Sequence, residues 1–218
     1  MHYSLLFLCL LLQACTSSQN SLVDTFKAAV KGPQDVVISP QKINAIPYGS
    51  IYLKLPTSAQ IFVVGYLQDG FEKWSTGDQV VFITQNGRLV RSTGYSQGDL
   101  LEVTNLQQDP LMHAVSLREG ASWTRLMRWT ENRQPLSSVV ASRFSRQDDE
   151  TQTLPGRVVT CQVWREDVTL EATGDRWQNT FWVDPQSGLV LKSNQRLGAD
   201  MPVSMTLLKP ANAGIPPA

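Results

Sequence analysis

Val80-Val81-Phe82-Ile83-Thr84-Gln85-Asn86-Gly87-Arg88-Leu89-Val90-Arg91-Ser92-Thr93 is the stretch whose reading decides the fold. Two runs rich in β-branched and apolar residues flank Asn86-Gly87. A type I′ hairpin turn needs positive φ at both central residues, and Asn followed by Gly accepts that at little steric cost. Residues 79–84 and 88–93 are therefore predicted to be antiparallel partners. Working outward, Ser50–Leu55 and Gln60–Leu67 carry the same composition between turn residues, so an antiparallel meander is expected from Pro47 onward.

Toward the C-terminus, Ser122–Thr130 fits two templates. Trp123, Met127 and Trp129 alternate as in a strand, while Trp123, Leu126, Met127 and Thr130 fit a helix. A strand is preferred because strand-like runs follow at Ser138–Arg146, Gly156–Arg165, Asn179–Val183, Leu189–Leu197 and Val203–Leu208. Asp184-Pro185-Gln186-Ser187-Gly188 reads as a hairpin turn, Pro setting φ and Gly taking the left-handed position. Residues 99–118 lack a clear period and suit a short helix or loop, and the tail with Pro210, Pro216 and Pro217 reads as irregular. Roughly ten strands result, a number at which a twisted sheet curls or splits into two layers. The expected class is mainly β: an antiparallel meander curling into a β-sandwich or half-open barrel, with a short N-terminal helix. That helix is placed at 21–32. Ser21-Leu22-Val23-Asp24 resembles a capping box, Leu22, Val23, Phe26 and Val30 share a face, and Gly32-Pro33 ends the segment.

The N-terminus has a different character. Leu5-Leu6-Phe7-Leu8-Cys9-Leu10-Leu11-Leu12 is shorter than the ~20 residues needed to span a bilayer and matches the apolar region of a signal peptide. Its flank carries no Lys or Arg. The run closes at Leu12-Gln13-Ala14-Cys15, which resembles the lipobox of bacterial lipoproteins, cleaved just before the cysteine. Residues 1–14 are read as signal peptide, 15–20 as a lipidated polar tether and 21–218 as a single antiparallel β domain. The alternative is a secreted protein cut near Ala14. Each buried methylene of an acyl chain contributes about 0.8 kcal/mol, so two or more chains, palmitate among them, anchor Cys15 to a membrane. Thr16 rather than Asp after the cysteine implies, by the same resemblance, the outer membrane.

The chain carries 19 basic and 19 acidic side chains, a balance that argues against nucleic acid as a partner. Cys9 leaves with the signal and Cys15 takes lipid, so Cys161 is left without a disulfide partner. Its setting, Val158-Val159-Thr160-Cys161-Gln162-Val163-Trp164, fits a small buried apolar side chain better than a reactive thiol.

Little in the sequence points to catalysis. His113 is the one histidine beyond the signal, and phosphate-loop and dinucleotide motifs are absent from the sequence. One His and one spare Cys argue against a zinc site built from His and Cys, and no cofactor is expected. A pair of carboxylates suffices for glycoside hydrolysis, so Glu150, Glu166, Asp167, Glu171, Asp175 and Asp184 are candidates for it. Each has a plainer reading: Asp148-Asp149-Glu150 as a charged loop, Glu166-Asp167 as a strand end, Asp184 as a turn. No catalytic residue is assigned. Indole rings stack on sugars, so tryptophans exposed to solvent are candidate polysaccharide contacts. Trp123, Trp129, Trp164 and Trp182 lie inside patterned runs and are expected in the core. Trp74 and Trp177 adjoin turns and are the candidates for polysaccharide binding, while Arg125, Arg128 and Arg165 are read as the solvent-facing alternation.

Several segments, taken together in order, resemble the YjbF/GfcB family of group 4 capsule polysaccharide lipoproteins. They are the lipobox, Pro47-Tyr48-Gly49-Ser50-Ile51-Tyr52-Leu53, Asn86-Gly87-Arg88-Leu89-Val90, Phe181-Trp182-Val183-Asp184-Pro185-Gln186-Ser187-Gly188-Leu189-Val190, Lys192-Ser193 and Leu208-Lys209-Pro210. The resemblance implies an outer-membrane lipoprotein, lipid-anchored on the periplasmic face. Its role would be that of a non-enzymatic accessory factor in exopolysaccharide or capsule export or assembly, with other polysaccharide-export proteins and polysaccharide itself as partners. Two rival readings are a lipid or lipoprotein carrier with an apolar cavity in a curved sheet, and a polysaccharide-trimming hydrolase. Metabolic labelling with radioactive palmitate is expected to mark the wild-type chain, and Cys15→Ala is expected to lose the label and leave the membrane fraction.

Overall fold

The computed structural model describes residues 34–212, Thr57 and Ala199 excepted. The signal segment, Cys15, the tether and the helix expected over 21–32 lie outside the described residues. The chain divides into two units, Met1–Asp35 and Val36–Ala218, and the second contains the sheet.

Pro40–Ala45 forms a short helix, α1, whose N-cap Ser39 accepts a hydrogen bond from the Lys42 N–H. A meander follows: β1 (Gly49–Lys54), β2 (Ile61–Gln68), β3 (Phe71–Ser75), β4 (Val81–Gln85) and β5 (Arg88–Thr93). Then come β6 (Leu100–Val103), two 3-10 segments at Leu106–Gln108 and Pro110–Ser116, β7 (Ser122–Glu131), β8 (Gln134–Leu154) and β9 (Arg157–Leu170). β10 (Arg176–Val183), β11 (Val190–Leu197) and β12 (Met201–Lys209) complete the order. All twelve belong to one sheet, ordered β5-β4-β3-β2-β1-β12-β11-β10-β9-β8-β7-β6. Every pairing is antiparallel. The first and last strands are neighbours, and β5 and β6, consecutive in sequence, form the two edges. The sheet is thus a nearly closed barrel, cut between β5 and β6.

Side chains bridge the cut. Ser92 Oγ donates to Asp99 Oδ1 (2.8 Å) and accepts from the Leu100 N–H (3.0 Å). The N–H groups of Gly94 and Tyr95 also donate to the Asp99 carboxylate. Period-two alternation fills the inside: along β7, Trp123, Arg125, Met127 and Trp129 are buried, and the residues between them are exposed. Trp74, Phe82, Val140, Val168, Trp177 and Val203 complete one continuous core with them. Gly65 on β2 makes room for this packing, because an added Cβ would lie 2.3 Å from Trp74 Cε3.

The mainly β class and the curled meander hold, with differences in detail. Twelve strands replace the expected ten or so, because β3 and β6 are short and rich in charged or non-alternating residues that hide their period. The Asn86-Gly87 hairpin is as read, with φ of 45° and 75°, and Gly188 closes the Asp184 turn at φ 73°. Asp148-Asp149-Glu150 is not a loop. It lies within the 21-residue β8, where pairing with β9 shifts register between Gln147 and Glu150. Glu166 and Asp167 lie inside β9 rather than at its end. Cys161 is buried, as read, in an outer-face cluster with Leu154, Val163, Trp182 and Leu191.

Phe82→Ala, at a site with 0% exposure, is expected to cost about 3–5 kcal/mol in urea denaturation. Val158→Ala, at 66% exposure, should stay within about 0.5 kcal/mol of wild type.

Candidate functional site

The most unusual feature of the interior is its charge. Arg88, at the start of β5, projects into the core and grips Asp109 with two donors, Nε to Oδ2 at 2.7 Å and NH2 to Oδ1 at 3.2 Å. Its third nitrogen, NH1, donates to Glu166 Oε2 on β9 at 2.6 Å. Arg125 on β7 lies 3.2 Å from Glu166 Oε1 through NH1, which itself donates to Ser142 Oγ at 2.8 Å. Asn179 Nδ2 on β10 supplies Glu166 Oε2 with a further hydrogen bond at 2.9 Å. Aromatic faces enclose the guanidiniums: Arg88 sits 4.9 Å from the Trp123 ring and 4.8 Å from that of Phe181, and Arg125 sits 4.2 Å from Trp123.

Asp109 also holds the lid over this end of the core, since it accepts the Leu111 N–H and caps the 3-10 segment Pro110–Ser116. Asn86 Nδ2 in the β4–β5 turn donates to the Leu111 carbonyl. Gln195 on β11 accepts the Leu89 N–H and donates to the Gly87 carbonyl, tying the same hairpin to the opposite wall.

Burial by itself would raise the Glu166 carboxyl, but the charges of Arg88 and Arg125 and the Asn179 donor outweigh it and hold it at about 2. Arg125 is brought down to about 10, first by burial and then by repulsion from Arg88, with Glu166 opposing. Burial also acts to lower Arg88, yet its two carboxylates prevail and raise it. Arg88, Arg125 and Glu166 thus keep their charges at neutral pH. The cluster ties walls together and is a poor general acid.

Glu166 is therefore spent on ion pairs, and the other acidic candidates are dispersed. Glu150 accepts the Trp182 indole N–H, Asp167 accepts from Gln178, Asp175 accepts from Thr173, and Asp184 accepts from Ser187. Glu171 is exposed after the end of β9. None of the grooves described below joins two of these six. His113 lies in the 3-10 segment, exposed. Among the described residues, no group of three or more His, Cys, Asp or Glu is placed to hold a metal ion.

Trp74 and Trp177, the two candidates for sugar stacking, are 2% and 6% exposed and offer no face to a polysaccharide. Each adjoins a turn in sequence, but each points into the barrel, where Trp74 Nε1 donates to Thr84 Oγ1 at 2.8 Å. Trp123, Trp129, Trp164 and Trp182 are buried as expected. Arg125 overturns the solvent-facing reading given to it, whereas Arg128 is exposed. Arg125 shares the parity of Trp123, Met127 and Trp129, and that was the signal in the sequence for an inward charge.

Because the interior is filled, open space lies on the outer face. One groove of 760 Å³ runs across the cut, with Phe71, Ile83 and Leu101 among its lining and Lys73, Arg91 and Arg128 around them. A second, of 460 Å³, lies between the tip of the β8–β9 hairpin and the outer face of β1, β11 and β12. The cavities bordered by interior side chains are far smaller, 30 and 20 Å³. An acyl chain needs much more, so the packed tryptophans remove the basis for a lipid-carrier reading.

An antiparallel barrel with a locked interior and grooves on its outside is the class that the geometry defines. The chain belongs to the YjbF family of group 4 capsule polysaccharide lipoproteins, whose model matches residues 23–208. It is 45% identical over 204 residues to the uncharacterized lipoprotein GfcB of Escherichia coli (strain K12), covering 93% of this chain and 95% of that one. It is 37% identical over 210 residues to the uncharacterized lipoprotein YjbF of the same strain, covering 95% and 97%. The crystal structure of the hypothetical lipoprotein YmcC from Escherichia coli (K12) superposes with a TM-score of 0.76 at 43% identity, over 87% of this chain and 96% of that one.

Glu166 ionises more readily in the folded chain than the ordinary carboxyl at 4.5. Its contribution to stability is therefore complete above about pH 4.5 and is lost as pH falls through about 2. Urea midpoints measured across that window should fall for wild type. Glu166→Gln strands Arg88 and Arg125 beside one remaining carboxylate, and is expected to cost about 3–5 kcal/mol at pH 7 and to flatten the acid dependence.

Proposed function

We propose that the chain is a lipid-anchored protein of the outer membrane. Acyl chains on Cys15 hold it, and its β domain sits on the periplasmic face. There it serves the export or assembly of a capsule or exopolysaccharide as an accessory factor, without catalysing a reaction, in contact with other proteins of the export system. Family membership is the observation that carries the reading. The site chemistry supports its non-enzymatic part: among the described residues the deeply buried carboxylates, Asp109 and Glu166, are paired with Arg88 and Arg125. A glycosidase needs a carboxylic acid kept protonated in an open cleft, and Glu166 is held the opposite way.

Deletion of the gene is expected to lower surface polysaccharide, measured by whole-cell immunoblot or uronic-acid assay. A plasmid copy should restore it and Cys15→Ala should not. Unchanged surface polysaccharide in the deletion strain would overturn the proposal. Pull-down from detergent-solubilised envelopes with the lipidated chain should recover export proteins that the Cys15→Ala form loses.

A further inference from the structure

We infer that the groove under the β8–β9 hairpin is a binding site for an anionic oligosaccharide segment, an inference that rests on the capsule-related reading above and gives it a place on the molecule. The hairpin is the first ground. β8 spans 21 residues and β9 spans 14, whereas β10 ends at Val183, opposite Gln162, so the hairpin beyond that point outruns its neighbour on the β10 side. It does not project freely. Leu154, near its tip, packs with Trp182 and Leu191 on the outer face of the sheet, and an added Cβ at Gly156 would lie 3.2 Å from Pro40 at the start of α1. The register shift between Gln147 and Glu150 lets the arm turn. The result is a strap lying over β11, β12 and β1.

The second ground is what lies beneath it. A strap that served only to cover apolar surface would be filled below by apolar side chains, as it is at Leu154, Cys161, Val163, Trp182 and Leu191. Beside Leu154 and Pro155 it also stands over 460 Å³ of open space, lined on the sheet side by Tyr52, Lys54, Lys192, Asn194, Ser204 and Thr206. Side-chain amides, hydroxyls and ammonium groups on a rigid sheet face match the hydroxyls, ring oxygens and carboxylates of a sugar chain. Two lysines and no Asp or Glu line the groove, so it favours an acidic saccharide over a neutral one. Ser204 Oγ already donates to Asn194 Oδ1 at 2.7 Å, so the remaining polar group of that side chain is an amide N–H₂ donor. Lys192 Nζ lies 4.5 Å from the centre of the Trp182 ring, which fixes the ammonium at the groove wall.

The experiment uses the lipidated chain in detergent, titrated by calorimetry with hexagalacturonate, with maltohexaose as neutral control and inorganic phosphate as a simple anion. Expected are binding of hexagalacturonate, no heat from maltohexaose or phosphate, and at least tenfold weaker binding by Lys192→Gln and by Lys54→Gln, with circular dichroism and urea midpoint as in wild type. Equal binding by wild type and both variants, or binding of phosphate as strong as that of the oligosaccharide, would overturn the site. So would no binding of hexagalacturonate at all. A chain carrying both Lys54→Gln and Lys192→Gln also separates this inference from the reading it rests on. If it restores surface polysaccharide fully in the deletion strain, the groove is wrong and the accessory role stands. If the deletion leaves surface polysaccharide unchanged while hexagalacturonate still binds, the role is wrong and the groove stands.

Discussion

The contact of Arg88 with Asp109 and Glu166 is the constraint on which the rest of the barrel depends. β5 and β6 share no ladder, so backbone hydrogen bonds cannot close the sheet at that point. Arg88 closes it from inside by joining the edge strand β5 to the segment after β6 and to β9 on the far wall. Removing four charges from water is costly, and such a cluster is no bargain in stability against a well-packed apolar core. What it gives is selectivity. An apolar interior tolerates many registers, whereas a guanidinium with fixed donors accepts the one arrangement in which both carboxylates meet it. The aromatic faces of Trp123 and Phe181 and the Asn179 amide complete that arrangement, so a slipped strand would leave a buried charge alone.

The outer face follows from this. Among the described residues, aromatic rings and paired charges fill the inside down to cavities of 30 and 20 Å³, and the wider grooves lie on the surface. Two devices shape that surface: the unpaired edges at the cut, and the long hairpin that folds back over β11, β12 and β1. Both are departures from the regular meander, and each coincides with a groove of several hundred Å³.

Much of this was legible in the sequence. Asn86-Gly87 and Asp184–Gly188 identify their hairpins because the turn chemistry is local, and the alternating runs around them identify most strands for the same reason. The short strands β3 and β6 escaped because four or five residues with charges among them carry too little period. The length of β8 escaped because Asp148-Asp149-Glu150 has the composition of a loop, and only pairing with β9 makes it a strand. The exposure of tryptophans was misread at Trp74 and Trp177 because proximity to a turn says nothing about which face a side chain takes. The charge cluster was the least legible. Its members are separated by up to 78 residues, and a charged residue in a half-buried strand is ordinarily on the wet side. Only the shared parity of Arg125 with three large apolar neighbours spoke against that.

The pairing of the first strand with the last has a consequence in time. A chain is made from its N-terminus at about 5–20 residues per second, so Glu166, 78 residues after Arg88, follows it by about 4–16 s. Throughout that interval β1–β5 form at best a half-sheet, with β1 lacking β12, β5 carrying an open edge, and a guanidinium meant for the core lacking its anions. Such an intermediate has reason to stay loose, since collapsing would bury Arg88 unpaired. The same charge that fixes the finished barrel thus delays it until the C-terminal strands arrive, and the seam between β12 and β1 is among the last parts of the molecule to form.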